Sequence, residues 1–470
     1  MTNGLFIFHR DFRIKDNISL NLINKKVDKL YCCFIFTPEQ VGSSNKYRSS
    51  NSIQFMIDCL EDLSKIIANK GGELLFFYGN TVNIISKLIK YLDISLLACN
   101  KDYSPYAKDR LKKITELCKK MDVELITEND YYLYEPGSIV VDTSKKAYTK
   151  FTPLYNKLKS IKYTKPANLG KLNFSKLDNS IEYIEKILVN LEEIERKVLK
   201  KRNTEILLVG SRNNALKILS SINNGKFRNY DKTRDNLGEL NKGTTLLSAY
   251  LKFGCVSVRE TAEIFKKVPA LYRQLIWREF YAHLLNDFPY VLGKPLKLQY
   301  SSIKWSSSKR FFDAWTKGET GVPIVDAGMR EMNNSGYMHN RARLIVASFL
   351  IKTLLIDWKK GEQYFATKLI DYDVASNNGN WQWVASTGAD SQPYFRIFNP
   401  WSQGETHDPD CIYIKKWIPE LKEVSPKDIH NWEEVYEDYI KNDKIKYLKP
   451  IVNYSDQRKK ALNMYKSALE

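Results

Sequence analysis

DYDVASNNGNWQW, residues Asp371 to Trp383, is the densest stretch of chemistry in the chain, with two acids, four side-chain amides, a glycine and two tryptophans. An indole is costly to bury unless its ring N–H finds a partner. Clustered asparagines favour caps and turns over helix interiors, because their side chains compete for backbone hydrogen bonds. The stretch therefore reads as a tight turn between helices that presents flat rings and amides to a ligand. The plainer alternative is a satisfied polar turn over two packed indoles, and only the rest of the chain separates the two.

Working outward, VASTGADSQPYFRIFNP runs on to Pro400. Upstream, TLLSAYLKFG, ALYRQLIWREFYAHLL, KRFFDAWTKG, VDAGMREMNN, RARLIVASFLIKTLLIDWKKG and EQYFATKLI all keep helical spacing, several with Gly or Asn stops. Residues 204–470 are read as an all-helical domain. All nine tryptophans lie in it. That concentration suits an aromatic cofactor and a stacked ligand; for Trp315, Trp417 and Trp432 a large helical core explains it as well.

The first 127 residues have a different rhythm. Short β-rich apolar runs at Leu5–Phe8, Leu30–Phe36, Glu73–Tyr78, Ser95–Cys99 and Val123–Ile126 alternate with amphipathic stretches. Continuous buried strands alternating with helices mean a parallel sheet covered on both faces. This is a Rossmann-like, five-stranded α/β domain, but no GxGxxG follows its first strand. Residues 128–203 lose both rhythms and read as a long connector, with a helical patch near Ile181–Lys200.

Composition narrows the function classes. A net charge of +19 over 470 residues attracts polyanions, although a Lys/Asn/Ile-rich coding bias produces charge too. The longest apolar runs, such as Leu344–Ile351, are far short of a membrane span, and the amino terminus lacks a signal-peptide profile. Seven scattered cysteines without a CxxC argue for a reducing compartment, cytoplasm or nucleus, and against a zinc ribbon or disulfide frame. The five histidines show no paired ligand spacing, so no metal is expected.

The order of sheet, connector and helical domain, with GTTLLSAYLKFG, QLIWREFY, GVPIVDAGMREMNNSGYMHNRAR, LIDWKKGEQYF, DYDVASNNGNWQW and PYFRIFNP in the last, resembles the DNA photolyase/cryptochrome family. FHRDFRIKDN (Phe8–Asn17) and KFTPLYNKL extend the resemblance over nearly the whole chain, and the closest match is to class I cyclobutane pyrimidine dimer (CPD) photolyases. The resemblance implies FAD in the helical domain and light-driven repair of dimers in UV-damaged DNA, by an electron passed from photoexcited reduced FAD to a flipped-out dimer. It implies flavin contacts from Tyr230, Thr244, Thr245, Leu247, Ser248, Arg343, Asp371, Asp373 and Asn377, the last facing flavin N5. Leu246 stands where many class I members carry an arginine. Trp381, Trp358 and Trp305 match the electron-transfer chain. Gln274, Trp277 and Trp383 match lesion contacts, and Arg234, Arg341, Arg396 and Gln403 match DNA contacts.

Two departures bear on the lesion. Gln274 replaces a usual glutamate, and Leu344 a usual methionine. The histidine pair of (6-4) photolyases falls here on Asn340 and Leu344, with His339 one residue early and, on a helix, about 100° away. CPD repair is therefore expected over (6-4) repair. A blue-light cryptochrome and a single-strand-preferring photolyase are the alternatives; no long tail of the cryptochrome kind follows the core motifs. A light-harvesting chromophore, a folate or a deazaflavin, is expected near Asn45–Met56 and Asn100–Arg110. A monomer is expected.

Overall fold

The five apolar runs near the amino terminus form five strands in a computed structural model that describes every residue except 168–169, 179–181 and 442–444. They are β1 (Asn3–Phe8), β2 (Lys29–Phe36), β3 (Leu74–Tyr78), β4 (Ile94–Lys101) and β5 (Glu124–Asn129). Their order is β3-β2-β1-β4-β5 and all four pairings are parallel. Helices Ile18–Asn24, Ser50–Ala68, Thr81–Tyr91 and Pro105–Lys120 connect them, each started by a side-chain cap from Asn17, Ser49, Asn80 or Ser104. The strand order reverses between β1 and β4, which opens a crevice at their carboxyl ends.

The chain falls into two compact units that interleave along the sequence. The first comprises Met1–Arg202, Leu208–Lys226 and Leu246–Pro289; the second comprises Asn203–Leu207, Phe227–Thr245 and Tyr290–Glu470. In the first unit, the connector lays isolated bridges on the sheet, Phe174 beside Leu30 and Leu188 beside Phe77. Its helices are Phe151–Lys159, Glu182–Glu185 and Leu191–Val198, so the expected helical patch is two short helices; its first residue, Ile181, lies outside the described residues. All seven cysteines are free and buried.

The second unit has no strand among the described residues. Helices Pro323–Ser335, Asn340–Ser348, Trp358–Lys368 and Val374–Val384 surround a core that includes Trp315, Met332, Val346, Leu350 and Phe365. Among the described residues no helix is long and apolar enough to cross a membrane.

Two expectations about local structure change. The periodic run from Arg341 to Gly361 is not one helix. After Ser348 it widens into a π-helical turn, Phe349–Thr353, closed by Leu354 N–H to the Phe349 carbonyl at 2.9 Å. It then breaks at Leu355, whose φ is 58° and whose carbonyl accepts from Ser306 N–H at 2.7 Å. Asp371–Trp383 is also not a turn: Val374–Val384 is a helix. Asparagine's turn preference is overridden because each inward amide finds a tertiary partner. Asn377 Nδ2 donates to the Glu362 carbonyl (3.0 Å), Asn378 Nδ2 to the Val291 carbonyl (3.0 Å) and Gln382 Nε2 to the Val291 and Lys294 carbonyls (3.1 and 3.2 Å).

Candidate functional site

The Val374–Val384 helix organises the site in the second unit. Asp373 caps it, accepting from Ser376 N–H at 3.0 Å. Asn377 spends one Nδ2 hydrogen on the Glu362 carbonyl, which leaves its Oδ1 as an acceptor and its second Nδ2 hydrogen as a donor. Positions two apart on a helix face nearly opposite directions. Accordingly Trp381 is buried, edge-on to Phe365 at 4.8 Å, while Trp383 is half-buried. Gly361 lets the Trp358–Lys368 helix approach: a Cβ there would lie 2.2 Å from the Trp381 ring.

Next to this helix, Arg343 Nη2 donates to both oxygens of Asp371 (3.1 and 3.0 Å) and Nε to the Met338 carbonyl (2.8 Å). Its guanidinium lies 5.4 Å above the Tyr337 ring, and the Tyr337 hydroxyl is 3.4 Å from Thr244 Oγ1. A continuous line of contacts thus joins Thr244 to the start of the Val374–Val384 helix. Tyr337 was missed from sequence because its contact with Thr244 spans 93 positions of the chain. Thr245 is half-buried, and Leu246 takes a left-handed φ of 57° that turns the backbone into the Ser248–Lys252 helix. Five residues build little macrodipole, and in the second unit Thr244 and Thr245 each carry a half-buried side-chain hydroxyl. Tyr230 opens a four-residue helix and is half-buried.

Trp358 begins its helix behind the Asp357 cap and is buried. Trp305 precedes Ser306, which bridges Ile356, and it is only half-buried. The three tryptophans therefore lie on adjoining elements, two interior and one reaching the surface. Trp315, also buried, donates its Nε1–H to the Val346 carbonyl at 3.0 Å and is a core residue.

In the first unit, Gln274 and Trp277 lie three apart on the Pro269–Asp287 helix, both half-buried on one face. Phe151 stacks on Trp277 at 3.8 Å and 6°, so one face of the indole is filled and fixed. In the second unit, Asp235 sits between two arginines, 2.9 Å from Arg341 and 3.8 Å from Arg234. Arg396 is exposed, with a bond to Gln392 Oε1 at 3.1 Å, and Gln403 is half-buried with its Oε1 unpartnered. His339 caps the Asn340–Ser348 helix through Nδ1 rather than lying on its face.

Glu362, also missed from sequence, is buried beside the same helix and accepts from Asn378 at 3.2 Å. Burial pushes its carboxyl up to about 7; the Asn378 bond opposes this and the Asp357 charge adds to it. The folded state keeps this proton where the unfolded chain, near 4.5, has lost it, so its contribution to stability fades as pH rises from 4.5 through 7. Glu362→Gln is expected to stabilise the protein by up to roughly 3 kcal/mol near pH 8 and by almost nothing near pH 4. Urea unfolding at both pH values checks it; equal shifts would contradict it.

This donor set suits a flavin dinucleotide: hydroxyls where phosphates need donors, an arginine–carboxylate pair and the Asn377 amide where a ring edge needs hydrogen-bonding partners, and an unpartnered buried His339 Nε2 beside them. Comparison with known proteins agrees. The family model for DNA photolyase matches residues 5–170, and that for the FAD binding domain of DNA photolyase matches 271–467. A deoxyribodipyrimidine photo-lyase of Buchnera aphidicola subsp. Baizongia pistaciae is 35% identical over 100% of this chain and 99% of its own. The chain belongs to the DNA photolyase family. The crystal structure of an archaeal photolyase from Sulfolobus tokodaii with two FAD molecules superposes with a TM-score of 0.86 at 35% identity, covering 99% of this chain and 100% of that one. A bacterial class III photolyase from Agrobacterium tumefaciens superposes at 0.90 with 29% identity, covering 99% and 98%. Residues 271–467 thus match the family's FAD-binding domain, and the chain shares the five-stranded parallel α/β domain of these photolyases.

Proposed function

We propose that this photolyase repairs cyclobutane pyrimidine dimers in UV-damaged DNA with light. The observation that carries the reading is the Val374–Val384 helix, which turns Trp381 inward and leaves Trp383 half-exposed while Asp371, Asp373 and Asn377 gather at its start. Reduced FAD, when bound, supplies the light-driven electron that opens the cyclobutane ring.

The chain's own residues do the rest. Thr244, Thr245, Leu247, Ser248 and Tyr230 hold the phosphates of the dinucleotide, and the Arg343–Asp371 pair fixes the ring system beside Asn377. Trp305, Trp358 and Trp381 give an electron a path from the surface to the interior. Arg234, Arg341, Arg396 and Gln403 contact the DNA backbone, which sets register without reading sequence. A dimer inside a duplex is out of reach, so it must be flipped out and stacked on flat side chains; Trp277 and Trp383 supply these, and the Gln274 amide meets the pyrimidine edge.

A (6-4) lesion needs a proton donor that this pocket does not supply. The pair of positions for it on the Asn340–Ser348 helix is Asn340 and Leu344. His339 is tied to Arg341 N–H, and burial lowers its pKa to about 4, so it is neutral at physiological pH. Illumination of the reduced protein with oligonucleotides carrying either lesion is expected to restore only the CPD. Restoration of only the (6-4) product would refute the histidine reasoning. Hydrogen bonds to a charged group exceed neutral ones by roughly 1 kcal/mol, so Gln274→Glu is expected to hold the dimer more firmly and to raise CPD repair yield. A lower yield would contradict the role given to Gln274.

We infer a second chromophore site in the first unit, near the strand-order reversal. Residues Asn100–Arg110 run from the end of β4 into the Pro105–Lys120 helix, where Arg10 pairs with Asp102 at 2.8 Å and the Tyr106 hydroxyl meets Thr37 at 3.0 Å. The ring nitrogens of His9 there are buried and without partners. A folate or deazaflavin bound at this crevice would add an absorption band to that of FAD in the purified protein.

A further inference from the structure

The irregular segment from Ala385 to Asn399 links the helix of Trp383 to the helix Pro400–His407 and carries Arg396. Its middle is fastened by lysines. Lys297 Nζ donates to Ser391 Oγ at 2.6 Å. Lys352, on the π-helical turn Phe349–Thr353, is 1% exposed, and its Nζ donates to Ser386 Oγ and to the Arg396 carbonyl, both at 3.0 Å. Ser386 N–H in turn donates to the Trp383 carbonyl at 3.3 Å. One ammonium group therefore stands between the backbone of the half-exposed indole and the backbone of the exposed arginine.

The arrangement is expensive. Among the described residues no carboxylate bonds to Lys352, and the Tyr465 ring is 5.9 Å away. Burial lowers its pKa to about 7. An unpaired buried charge is normally a poor way to hold a fold, and well-packed apolar replacements are often neutral or stabilising. Stability alone does not explain this lysine.

We propose that Lys352 is a positioning residue for lesion binding, which sets the spacing between Trp383 and Arg396 before DNA arrives. The proposal rests on the DNA roles given to those two residues above. A dimer stacked on Trp383 and a phosphate held by Arg396 belong to one strand, so the spacing of the two anchors bears on how well both are met at once. An ammonium with two fixed acceptors holds that distance; an apolar side chain of similar length does not.

The test is dark binding of a duplex containing one CPD by FAD-loaded Lys352→Met, with thermal unfolding and flavin photoreduction measured alongside. Affinity is expected to fall about tenfold, the scale of a lost hydrogen bond from a charged group, while thermal stability and photoreduction stay at or above the parent's. A merely structural lysine would instead lower stability and affinity together, and that result overturns the proposal, as does unchanged affinity. In an Arg396→Ala background the Lys352→Met loss is expected to shrink; a full additional tenfold loss there overturns the coupling. Arg396→Ala alone reads the underlying assignment. If it binds like the parent, the phosphate contact is refuted; if it weakens binding and Lys352→Met does not, only the positioning role is refuted. Should Lys352→Met fail to fold, Ser386→Ala cuts the same link, with a loss of about threefold expected and unchanged affinity counting against it.

Discussion

Trp383→Ala is expected to weaken dark binding of a CPD-containing duplex by about 5- to 150-fold, the value of 1–3 kcal/mol for one base stacked on an aromatic ring. Photoreduction of oxidised FAD by external reductant should be untouched in that variant. Trp381→Phe is expected to do the reverse, abolishing photoreduction while leaving dark binding within about twofold. A phenyl ring is far harder to oxidise than an indole, so the path from the surface is cut at its inner end. Phenylalanine keeps the edge contact with Phe365 but leaves a void against Gly361, so stability should fall by about 1–3 kcal/mol. Titration with a fluorescent duplex and absorbance under blue light give the two readouts. Loss of both functions in both variants would show that the helix does not divide its labour.

Asp130→Asn is expected to destabilise the first unit by about 3–5 kcal/mol at neutral pH, the cost of breaking a buried ion pair from one side. Asp130 lies between Arg13 (2.5 Å) and Arg259 (2.6 Å), and Arg259 also pairs with Asp16 at 2.9 Å; all four side chains are at most 3% exposed. Two guanidinium groups and two carboxylates are paired here, with the buried Asp11 carboxyl also acting on Arg13 and Asp130. The variant removes the one carboxylate that both guanidinium groups share. Burial alone would raise the Asp130 pKa, but the two guanidinium groups overcome it and hold the carboxyl below its usual 3.8. A depressed carboxylate contributes stability above its unfolded value and loses it as pH falls through the folded one. The gap between parent and variant should therefore be constant from neutral pH to about 4 and close below that. Thermal unfolding across that range checks it, and a gap already closing near neutrality would contradict it.

The sheet was legible because its strands are short apolar runs, with β1, β2 and β3 buried on both faces and β5 more exposed, and Leu30–Phe36 and Glu73–Tyr78 fall within a residue of β2 and β3. The Asp371–Trp383 stretch was misread as a turn, since Val374–Val384 is a helix. Local propensity weighs its asparagines correctly but knows nothing of the Val291, Lys294 and Glu362 acceptors that hold them in a helix. The same limit hid Asp130, whose arginines lie 117 and 129 positions away. Phe151 was inside a quoted motif, yet its stack on Trp277 belongs to the fold. Lys352 was invisible for another reason: a lysine after an apolar run reads as a helix surface, and only the π-helical turn swings it inward.

The most direct measurement is the recovery of thymines from a duplex carrying a single cyclobutane dimer, followed by chromatography, with dithionite-reduced protein under blue light and in a parallel dark sample. Recovery confined to the illuminated sample is the predicted result. Recovery in the dark, or none in the light from folded, FAD-loaded protein that binds the duplex, would contradict light-driven dimer repair.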